Sequence, residues 1–424
     1  MSPRYWYELL KMMSGDVQKV CSESLSETIE YLQKVNKNRK IDLVIMMSDC
    51  GAVLAHLFDT PIIMVSPAGP FSIYMKHTGN SINPIVQPSL LSPSIEPMTF
   101  FQRILNVIID NIVYAWIYIG DSMSLKYVRE TFGDDIPDFN SIMEERTVFA
   151  LANSHIATHG SWPYYRNFAE IGGIHCMHGK ELPADLKQYM DSHPDGVIYV
   201  SFGSGFKPSQ MTAEQKKVFH DSFKELNMPI IWKWDDDDLT GIPKNVKVMK
   251  WVPQNDLLAH PNLKVFVTHG GLLSTQEALF HKVPLVGVPI ALDQIGNLER
   301  AQRNGFALKL VLQTLTKEEL VSSIKRVLTD ENIRASMYMM HTLFTDYYDQ
   351  TPMERGINAV EYVLKHKQLD FLKPLGTMNM SWYQYYGYDI LLFVLLVAFF
   401  GIFIISKCFC CCLRMCCSKK AKQD

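Results

Sequence analysis

Short runs of β-forming residues alternate with longer amphipathic stretches between residues 196 and 330. The runs predict strands at 197–201, 229–232, 246–251, 265–268 and 285–288. The stretches between them predict helices at 213–226, 272–281, 295–304 and 316–328. Strands that alternate with helices through short loops form a parallel sheet covered on both faces. Ligands of such sheets bind at the carboxyl ends of the strands.

The first half of the chain repeats this pattern, with strands predicted at 41–46 and 62–65 and a helix at 51–58. An apolar stretch at 99–119 contains Arg103, Asp110 and two asparagines. We therefore expect a helix that packs in the first domain or lies on a membrane, rather than a membrane span. Polar, turn-rich residues at 176–195 predict a linker between two domains. Residues 330–372 are predicted to be helical and to pack back across both domains.

The C-terminal pattern differs, because residues 390–406 form an uncharged apolar run. As a helix it spans roughly 26 Å, close to the thickness of the endoplasmic reticulum bilayer. Trp382 and four tyrosines precede the run, and basic residues follow it. The positive-inside rule predicts a single membrane anchor with a luminal body and a cytoplasmic tail. A buried core helix is the disfavoured alternative, since the run lies at the chain end with asymmetric flanks.

The tail itself carries six of the nine cysteines and a lysine pattern. Lys420 and Lys422 resemble a di-lysine retrieval signal, which favours the endoplasmic reticulum membrane. Acylated and unmodified tail cysteines remain equal alternatives. The body has only Cys21, Cys50 and Cys176, a set too sparse for a disulfide framework.

Composition excludes several classes of protein. With 424 residues, 47% hydrophobic and 20% charged, the chain is globular and long enough for two domains. A net charge of −3 argues against a nucleic-acid partner. The first residues have no continuous apolar core or cleavage site, so no signal peptide is predicted.

The strand predicted at 265–268 runs directly into His269, Gly270 and Gly271 and then into a helix. A glycine pair lets the backbone approach a ligand closely, and a helix start offers free N–H groups to an anion. The segment contains neither a GxGxxG fingerprint nor a P-loop. We therefore expect a different anionic ligand at this edge of the sheet.

Several motifs surround this segment in the second half of the chain: Ser201-Phe-Gly-Ser204, Trp251-Val-Pro-Gln254-Asn-Asp256, His260-Pro, Thr268-His-Gly-Gly271, Glu277 and Asp293-Gln294. Together they resemble membrane-bound UDP-glycosyltransferases of the animal UDP-glucuronosyltransferase family, and more its insect branch. The resemblance implies an α/β fold of the GT-B type, with two Rossmann-like domains with parallel sheets and a C-terminal transmembrane helix. It implies an acceptor-binding domain at 1–180, a UDP-sugar domain at 181–372, the transmembrane helix at 390–406 and a tail at 407–424.

The resemblance also implies how a UDP-sugar binds. Trp251 would stack on the uracil, the backbone beside Gln254 would bond its edge, and Glu277 would bind the ribose hydroxyls. Asp293 and Gln294 would bind the sugar hydroxyls. No metal and no other cofactor is expected, since the segment has no D-x-D-type cation site.

The diphosphate would lie at the start of the helix, against His269, Gly270 and Gly271, with Ser204 opposite. Family members often carry an asparagine where this chain has Leu273. We therefore expect backbone donors rather than a side chain at that position.

Each residue also has a purely structural interpretation. Glu277 lies three residues after Ser274, so the pair could form a capping box. His269 alone could be a histidine at a strand end, and Trp251 alone could belong to the core. The acidic run 235–238 is more typical of a solvated loop than of a metal site.

The family uses an N-terminal histidine as general base, held by an aspartate. No histidine of this chain occupies an equivalent place, and Asp49 is the nearest match for the aspartate. We expect an N-terminally truncated chain. Two hypotheses follow: an inverting transferase that moves glucose or glucuronate to a small lipophilic acceptor, with glucose favoured, or a membrane-anchored UDP-sugar-binding fragment or regulator of full-length relatives. Homo- or hetero-oligomers would suit either.

Overall fold

Parallel strands in two sheets form the scaffold of the protein in a computed structural model, which describes residues 17–35, 40–80, 82–206, 210–236, 238–366, 369–374, 376 and 380–420. The chain divides into two compact units, Met1–Leu372 and Lys373–Asp424. Both sheets belong to the first unit. The strands of the described residues are β1 (Val44–Met46), β2 (Ile62–Ser66), β3 (Thr147–Ala152), β4 (Phe168–Glu170), β5 (Val197–Ser201), β6 (Ile230–Lys233), β7 (Val246–Met249), β8 (Leu263–Thr268), β9 (Leu285–Gly287) and β10 (Ala307–Lys309).

The described α-helices of the first unit, in chain order, are α1 (Val17–Val35), α2 (Ala52–Phe58), α3 (Ser72–Lys76), α4 (Phe100–Phe132), α5 (Phe139–Arg146), α6 (Ile156–His159), α7 (Ala184–Asp191), α8 (Ala213–Leu226), α9 (Gln254–Leu258), α10 (Leu272–Phe280), α11 (Gln294–Arg303), α12 (Lys317–Thr329), α13 (Glu331–Asp346) and α14 (Pro352–Lys365). Those of the second unit are α15 (Trp382–Tyr385) and α16 (Tyr388–Lys420). Short 3-10 turns occupy Asp49–Gly51 and Asp370–Leu372.

The first sheet has the order β1-β2-β3-β4, with every pair parallel. Strands β1 and β2 were predicted from the sequence, whereas β3 and β4 were not. Helices α2 and α5 cover one face of this sheet through a core that includes Val53, Ile62 and Ile142. Helix α14 packs on the other face, where Ala359 and Val363 contact the same sheet. This confirms that the C-terminal helices of the unit return to the first half of the chain.

The second sheet has the order β10-β9-β8-β5-β6-β7, again entirely parallel. Its first strand, β5, lies in the middle, with β6 and β7 on one side and β8 to β10 on the other. The strand order reverses between β5 and β8, and doubly wound sheets bind their ligands in the crevice at such a point. Ser201 lies beside Thr268 in the register, so both strands end at this crevice.

The predicted linker 176–195 is only partly a linker, because α7 occupies its centre. Leu186 and Met190 of this helix are fully buried in the core of the second sheet. Their spacing of four residues places both on one helix face. The polar composition around them concealed this single apolar stripe.

Helix α4 confirms the helix predicted within 99–119 and extends beyond it to Phe132. Thr99 and Gln102 form a reciprocal capping box at its start. The buried Asn106 donates to the carbonyl oxygens of Pro84 and Gln87, so this face of the helix belongs to the first unit. Helix α4 is also one of two described helices long and apolar enough to cross a membrane.

The other such helix belongs to the second unit. Residues Tyr388–Phe409 of α16 form a candidate membrane span that contains the predicted run 390–406. The helix continues to Lys420, so the segment predicted as a separate tail starts as a helical extension of the span.

Cys50, in the first unit, is disulfide-bonded. The sparse set of cysteines did not predict a bridge. A single disulfide requires only that two cysteines lie close in space, and spacing along the chain does not reveal this.

Candidate functional site

The crevice between β5 and β8 collects most of the residues that the motifs singled out. The loop after β5 carries Gly203 and Ser204, and the loop after β8 carries His269 to Gly271. Strand β6 borders β5 on its other side and ends at Lys233. The carboxyl ends of β8, β5 and β6 therefore lie side by side at one edge of the sheet.

The glycine pair allows close packing of this loop. Gly270 has φ +82°, and a Cβ atom there would lie 2.3 Å from Cγ of Leu298. A Cβ on Gly271 would lie 2.7 Å from Nε2 of His269, and one on Gly203 would lie 2.8 Å from Cε1 of the same ring. The His269 imidazole is thus held between two glycine backbones, and larger residues at these positions would displace it.

His269 is a neutral histidine at physiological pH. Burial lowers the pKa of its imidazole to about 4, and the ammonium of Lys233 contributes in the same direction. A hydrogen bond between the ring and the backbone of Ser201 opposes this shift only partly. A neutral imidazole has one N–H donor and one acceptor. The tautomer that donates to the Ser201 carbonyl leaves an acceptor nitrogen, so donation to a phosphate oxygen requires the other tautomer.

Helix α10 begins directly after the glycine pair. Gly271 is its N-cap residue and has no side chain with which to cap the helix. The backbone N–H of Leu272 bonds to the carboxylate of Asp293, which also accepts a 2.6 Å hydrogen bond from Asn297 Nδ2. Asn297 donates in addition to the Gly270 carbonyl. Asn297 therefore ties the start of α11 to the glycine loop, a role that the motifs did not indicate.

Glu277 lies one turn further along α10 and is held by Gln254. The Gln254 amide donates to the Glu277 carboxylate at 2.6 Å and to Ser274 Oγ at 2.9 Å. Its own oxygen accepts a hydrogen bond from Tyr199. Burial raises the pKa of Glu277, while the hydrogen bond from Gln254 lowers it. Ser274 lies inside the helix and is not its N-cap, so the capping-box alternative is excluded.

Trp251, the tryptophan of the site, is highly exposed, with 73% of its surface accessible. The alternative of a core tryptophan is therefore wrong. The Lys233 ammonium lies 5.3 Å from the centre of the indole ring. An exposed indole with one face supported from below is a stacking platform for a flat ring.

Ser204 and Gln294 occupy less defined positions. Ser204 is exposed in the loop after β5. The side-chain oxygen of Gln294 accepts hydrogen bonds from the backbone N–H groups of Ile290 and Ala291, both at 2.9 Å. The amide oxygen thus orders its own loop, which leaves the amide N–H₂ group for a ligand.

Asp49 lies apart from this cluster, at the turn after β1 in the first sheet. Its carboxyl is hydrogen-bonded to Asp121 of α4, and burial raises its pKa to about 6. The Oδ1 atom has no hydrogen-bond partner among the described residues. The sequence did not predict the pairing of Asp121 with Asp49, because an acidic residue in an apolar helix is usually expected to face solvent.

Two further residues at the crevice were missed by the motifs. Lys233 lies at the end of β6, where a charged residue looks like an ordinary strand terminus. His175 bonds through Nε2 to the carbonyl of Leu273 at 3.0 Å. No motif predicted this contact, since His175 lies in a loop nearly 100 positions before Leu273 in the chain.

Comparison with known proteins bears on this arrangement. The family model described as "UDP-glucoronosyl and UDP-glucosyl transferase" matches residues 2–423. UDP-glucosyltransferase 2 of Dactylopius coccus is 33% identical over 379 residues, which cover 88% of this chain and 73% of that protein. UDP-glucuronosyltransferase 2B7 of Homo sapiens is 28% identical over 414 residues, covering 95% of this chain and 76% of that protein.

Solved structures share the architecture at lower identity. UDP-glucose: anthocyanidin 3-O-glucosyltransferase in complex with UDP has a TM-score of 0.56 and 17% identity, covering 82% of this chain and 80% of that one. A glycosyltransferase of kitacinnamycin has a TM-score of 0.55 and 19% identity, covering 82% of each chain. This likeness confirms the GT-B fold, with its two parallel α/β sheets.

Proposed function

Because this chain belongs to the family of UDP-glucuronosyl and UDP-glucosyl transferases, we propose that it transfers a hexosyl group from a UDP-sugar to a small lipophilic acceptor. The observation that carries the proposal is the Gln254–Glu277 pair at the carboxyl edge of the second sheet. A half-buried carboxylate bonded to an amide, rather than paired with a cation, keeps lone pairs for neutral hydroxyl groups. A ribose diol presents such donors.

The reaction we propose is a displacement with inversion. The acceptor oxygen attacks the anomeric carbon and loses its proton to a base, while the bond from that carbon to the phosphate oxygen breaks. UDP departs with the bonding electron pair. Donors at the start of α10 and the neutral His269 would stabilise the charge that develops on the diphosphate. No metal is required for this step.

For the donor sugar we propose glucose. The insect-like motif between His269 and Glu277 supports this choice, as does the printed name of the Dactylopius coccus relative. The human relative is named as a glucuronosyltransferase, so glucuronate is the competing donor.

The environment of Asp49 favours a second candidate function. An aspartate that orients a base histidine must offer it a carboxylate oxygen. Among the described residues, the Asp49 carboxyl bonds to Asp121, its Oδ1 atom is buried without a partner, and no histidine bonds to either oxygen. A UDP-sugar-binding protein without turnover, acting beside full-length relatives, fits this pairing.

We also propose that the protein is a single-pass protein of the endoplasmic reticulum membrane with a luminal body. The candidate span in α16 and the basic residues after it support this orientation. The disulfide at Cys50 supports it independently, because disulfides persist in the oxidising lumen and are rare in the cytosol.

The test is UDP release by membranes that carry this chain, given UDP-glucose or UDP-glucuronate with a panel of phenols. Membranes with a full-length relative and empty membranes are the controls. Acceptor-dependent release that persists in EDTA supports the metal-independent transferase. Bound UDP without release supports the second candidate, and neither binding nor release contradicts both.

A further inference from the structure

Lys233 occupies a position between two parts of the site that no motif connects. Its Nζ atom donates a 3.0 Å hydrogen bond to the carbonyl of Gly203, in the loop after β5. The same atom lies 5.3 Å from the centre of the Trp251 ring. It also acts electrostatically on His269, whose pKa it helps to lower. One ammonium therefore faces the stacking platform, the loop after β5 and the loop after β8.

The ammonium keeps bonding capacity for a ligand. It has three N–H donors, and the hydrogen bonds and ion pairs of the described residues give it one polar partner, the Gly203 carbonyl. Of the acidic residues after β6 that the structure describes, none forms an ion pair with Lys233, and Asp236 pairs instead with Lys216 at 3.7 Å. A half-buried cation without an anionic partner is costly unless an anion arrives.

A purely structural role would be support of the Trp251 ring. An uncharged side chain of similar length would fill the same space beside the ring, so that role alone does not require a charge. The hydrogen bond to Gly203 indicates a second role for the lysine, because it holds the ammonium against the loop after β5 rather than in solvent. The loop after β5 borders the crevice in which the nucleotide is expected to bind.

We propose that Lys233 binds the diphosphate of the nucleotide and stabilises it as it departs, while its ammonium also faces the Trp251 ring. This assignment rests on the proposed function. It adds a positive charge to a phosphate site whose other expected donors, the backbone N–H groups, Ser204 and the imidazole of His269, are neutral. Because negative charge grows on the diphosphate when the sugar bond breaks, such a cation favours the departing state over the bound donor.

The experiment measures the affinities of UDP, UMP and uridine for the full-length chain in detergent micelles. Lys233→Met removes the charge and keeps the stem, and Lys233→Arg keeps the charge. Lys247→Met is the matched control, because Lys247 lies on the neighbouring strand β7 at 5.4 Å from the ring of Tyr189. We expect Lys233→Met to weaken UDP binding about tenfold or more and to leave uridine binding within about twofold.

The other variants and ligands separate the explanations. Lys233→Arg should recover most of the UDP affinity, and Lys247→Met should bind all three ligands like the wild type. Equal losses for UDP and uridine in Lys233→Met would overturn the proposal, since the residue would then act only through Trp251. Unchanged UDP affinity would overturn it as well. A wild-type chain that binds neither UDP nor uridine would instead contradict the proposed function itself.

Discussion

The amide of Gln254 holds the carboxylate of Glu277 through a 2.6 Å hydrogen bond across the space between α9 and α10. Glu277→Ala should weaken UDP and uridine binding by about tenfold or more, because it removes the acceptor for the ribose hydroxyls. Gln254→Ala should cost less, since the carboxylate stays but loses its orientation. Equilibrium binding of uridine checks both. Glu181→Ala, at an exposed position, is the control, and wild-type affinity in Glu277→Ala would refute the site assignment.

The same glutamate should make nucleoside binding sensitive to acid. Burial raises the pKa of Glu277 above its ordinary value, so its carboxylate protonates earlier as the pH falls. Uridine affinity should therefore begin to decline at a higher pH than an ordinary glutamate would cause. Uridine is the right ligand because it has no phosphate that titrates in the same range. The decline should disappear in Glu277→Gln; its persistence there would assign the effect to another group.

His269 should act through its shape and its N–H group rather than through charge. Burial lowers its pKa to about 4, so the imidazole is neutral between pH 6 and 8, about two units or more above that value. His269→Ala should weaken UDP binding by about tenfold, and His269→Asn should recover part of the loss by restoring a donor. Calorimetric titration with UDP measures both. Equal affinity of all three proteins would remove His269 from the diphosphate site.

Gly270 should tolerate no side chain. Its φ of +82° is unfavourable for other residues, and a Cβ atom would lie 2.3 Å from Leu298 Cγ. Gly270→Ala should lower the unfolding temperature of the chain in micelles and abolish UDP binding. Gly120→Ala is the opposite control, because Gly120 lies in α4 with no atom within 4 Å of the added Cβ. That change should stabilise the protein by about 0.5–1 kcal/mol.

The buried pair Asp49 and Asp121 should make the fold around the first sheet less stable as the pH rises. Burial raises the pKa of Asp49 to about 6 in the folded chain, against about 3.9 when unfolded. The folded state then binds more protons than the unfolded state across this window. The stabilising contribution of protonated Asp49 is complete below about pH 4 and is lost as the pH rises through about 6.

Asp49→Asn removes this titration while keeping the shape of the side chain. The variant should match the wild type near pH 4 and have a higher free energy of unfolding above pH 7, because its amide does not ionise. Asp121, whose pKa burial raises to about 8, titrates in both proteins. Thermal unfolding at a series of pH values measures the difference. Asp134→Asn, at an exposed position, is the control. If the difference in stability between the wild type and Asp49→Asn stays constant as the pH rises, the pair does not share a proton.

Much of the second sheet and its helices could be predicted from sequence, because these elements have strong local patterns. Helix α8 has the predicted bounds, since Thr212 and Gln215 form a capping box and Asn227 ends the helix in a left-handed conformation. Strand β3 was missed although its residues are buried. Its apolar run directly follows the charged end of α5, and no turn residue separates the two.

The site was predictable only where a motif lies on one continuous segment. The glycine pair and Glu277 belong to such a segment, so their proximity followed from the sequence. Lys233 and His175 reach the crevice from other elements, and only the order of the strands brings them there. The partnership of Asp49 with Asp121 likewise depends on how α4 crosses the first sheet, which no local pattern encodes.

The reversal of strand order between β5 and β8 has a consequence for biosynthesis. These two strands are neighbours in the sheet, yet β6 and β7 are made between them and pair on the opposite side of β5. The crevice cannot close until β8 has emerged from the ribosome and inserted beside a strand made some sixty residues earlier. Such a long-range pairing forms late. Nucleotide capture thus marks a chain in which β8 has already paired with β5, and UDP supplied during synthesis should raise the yield of folded chain because it binds only that paired state.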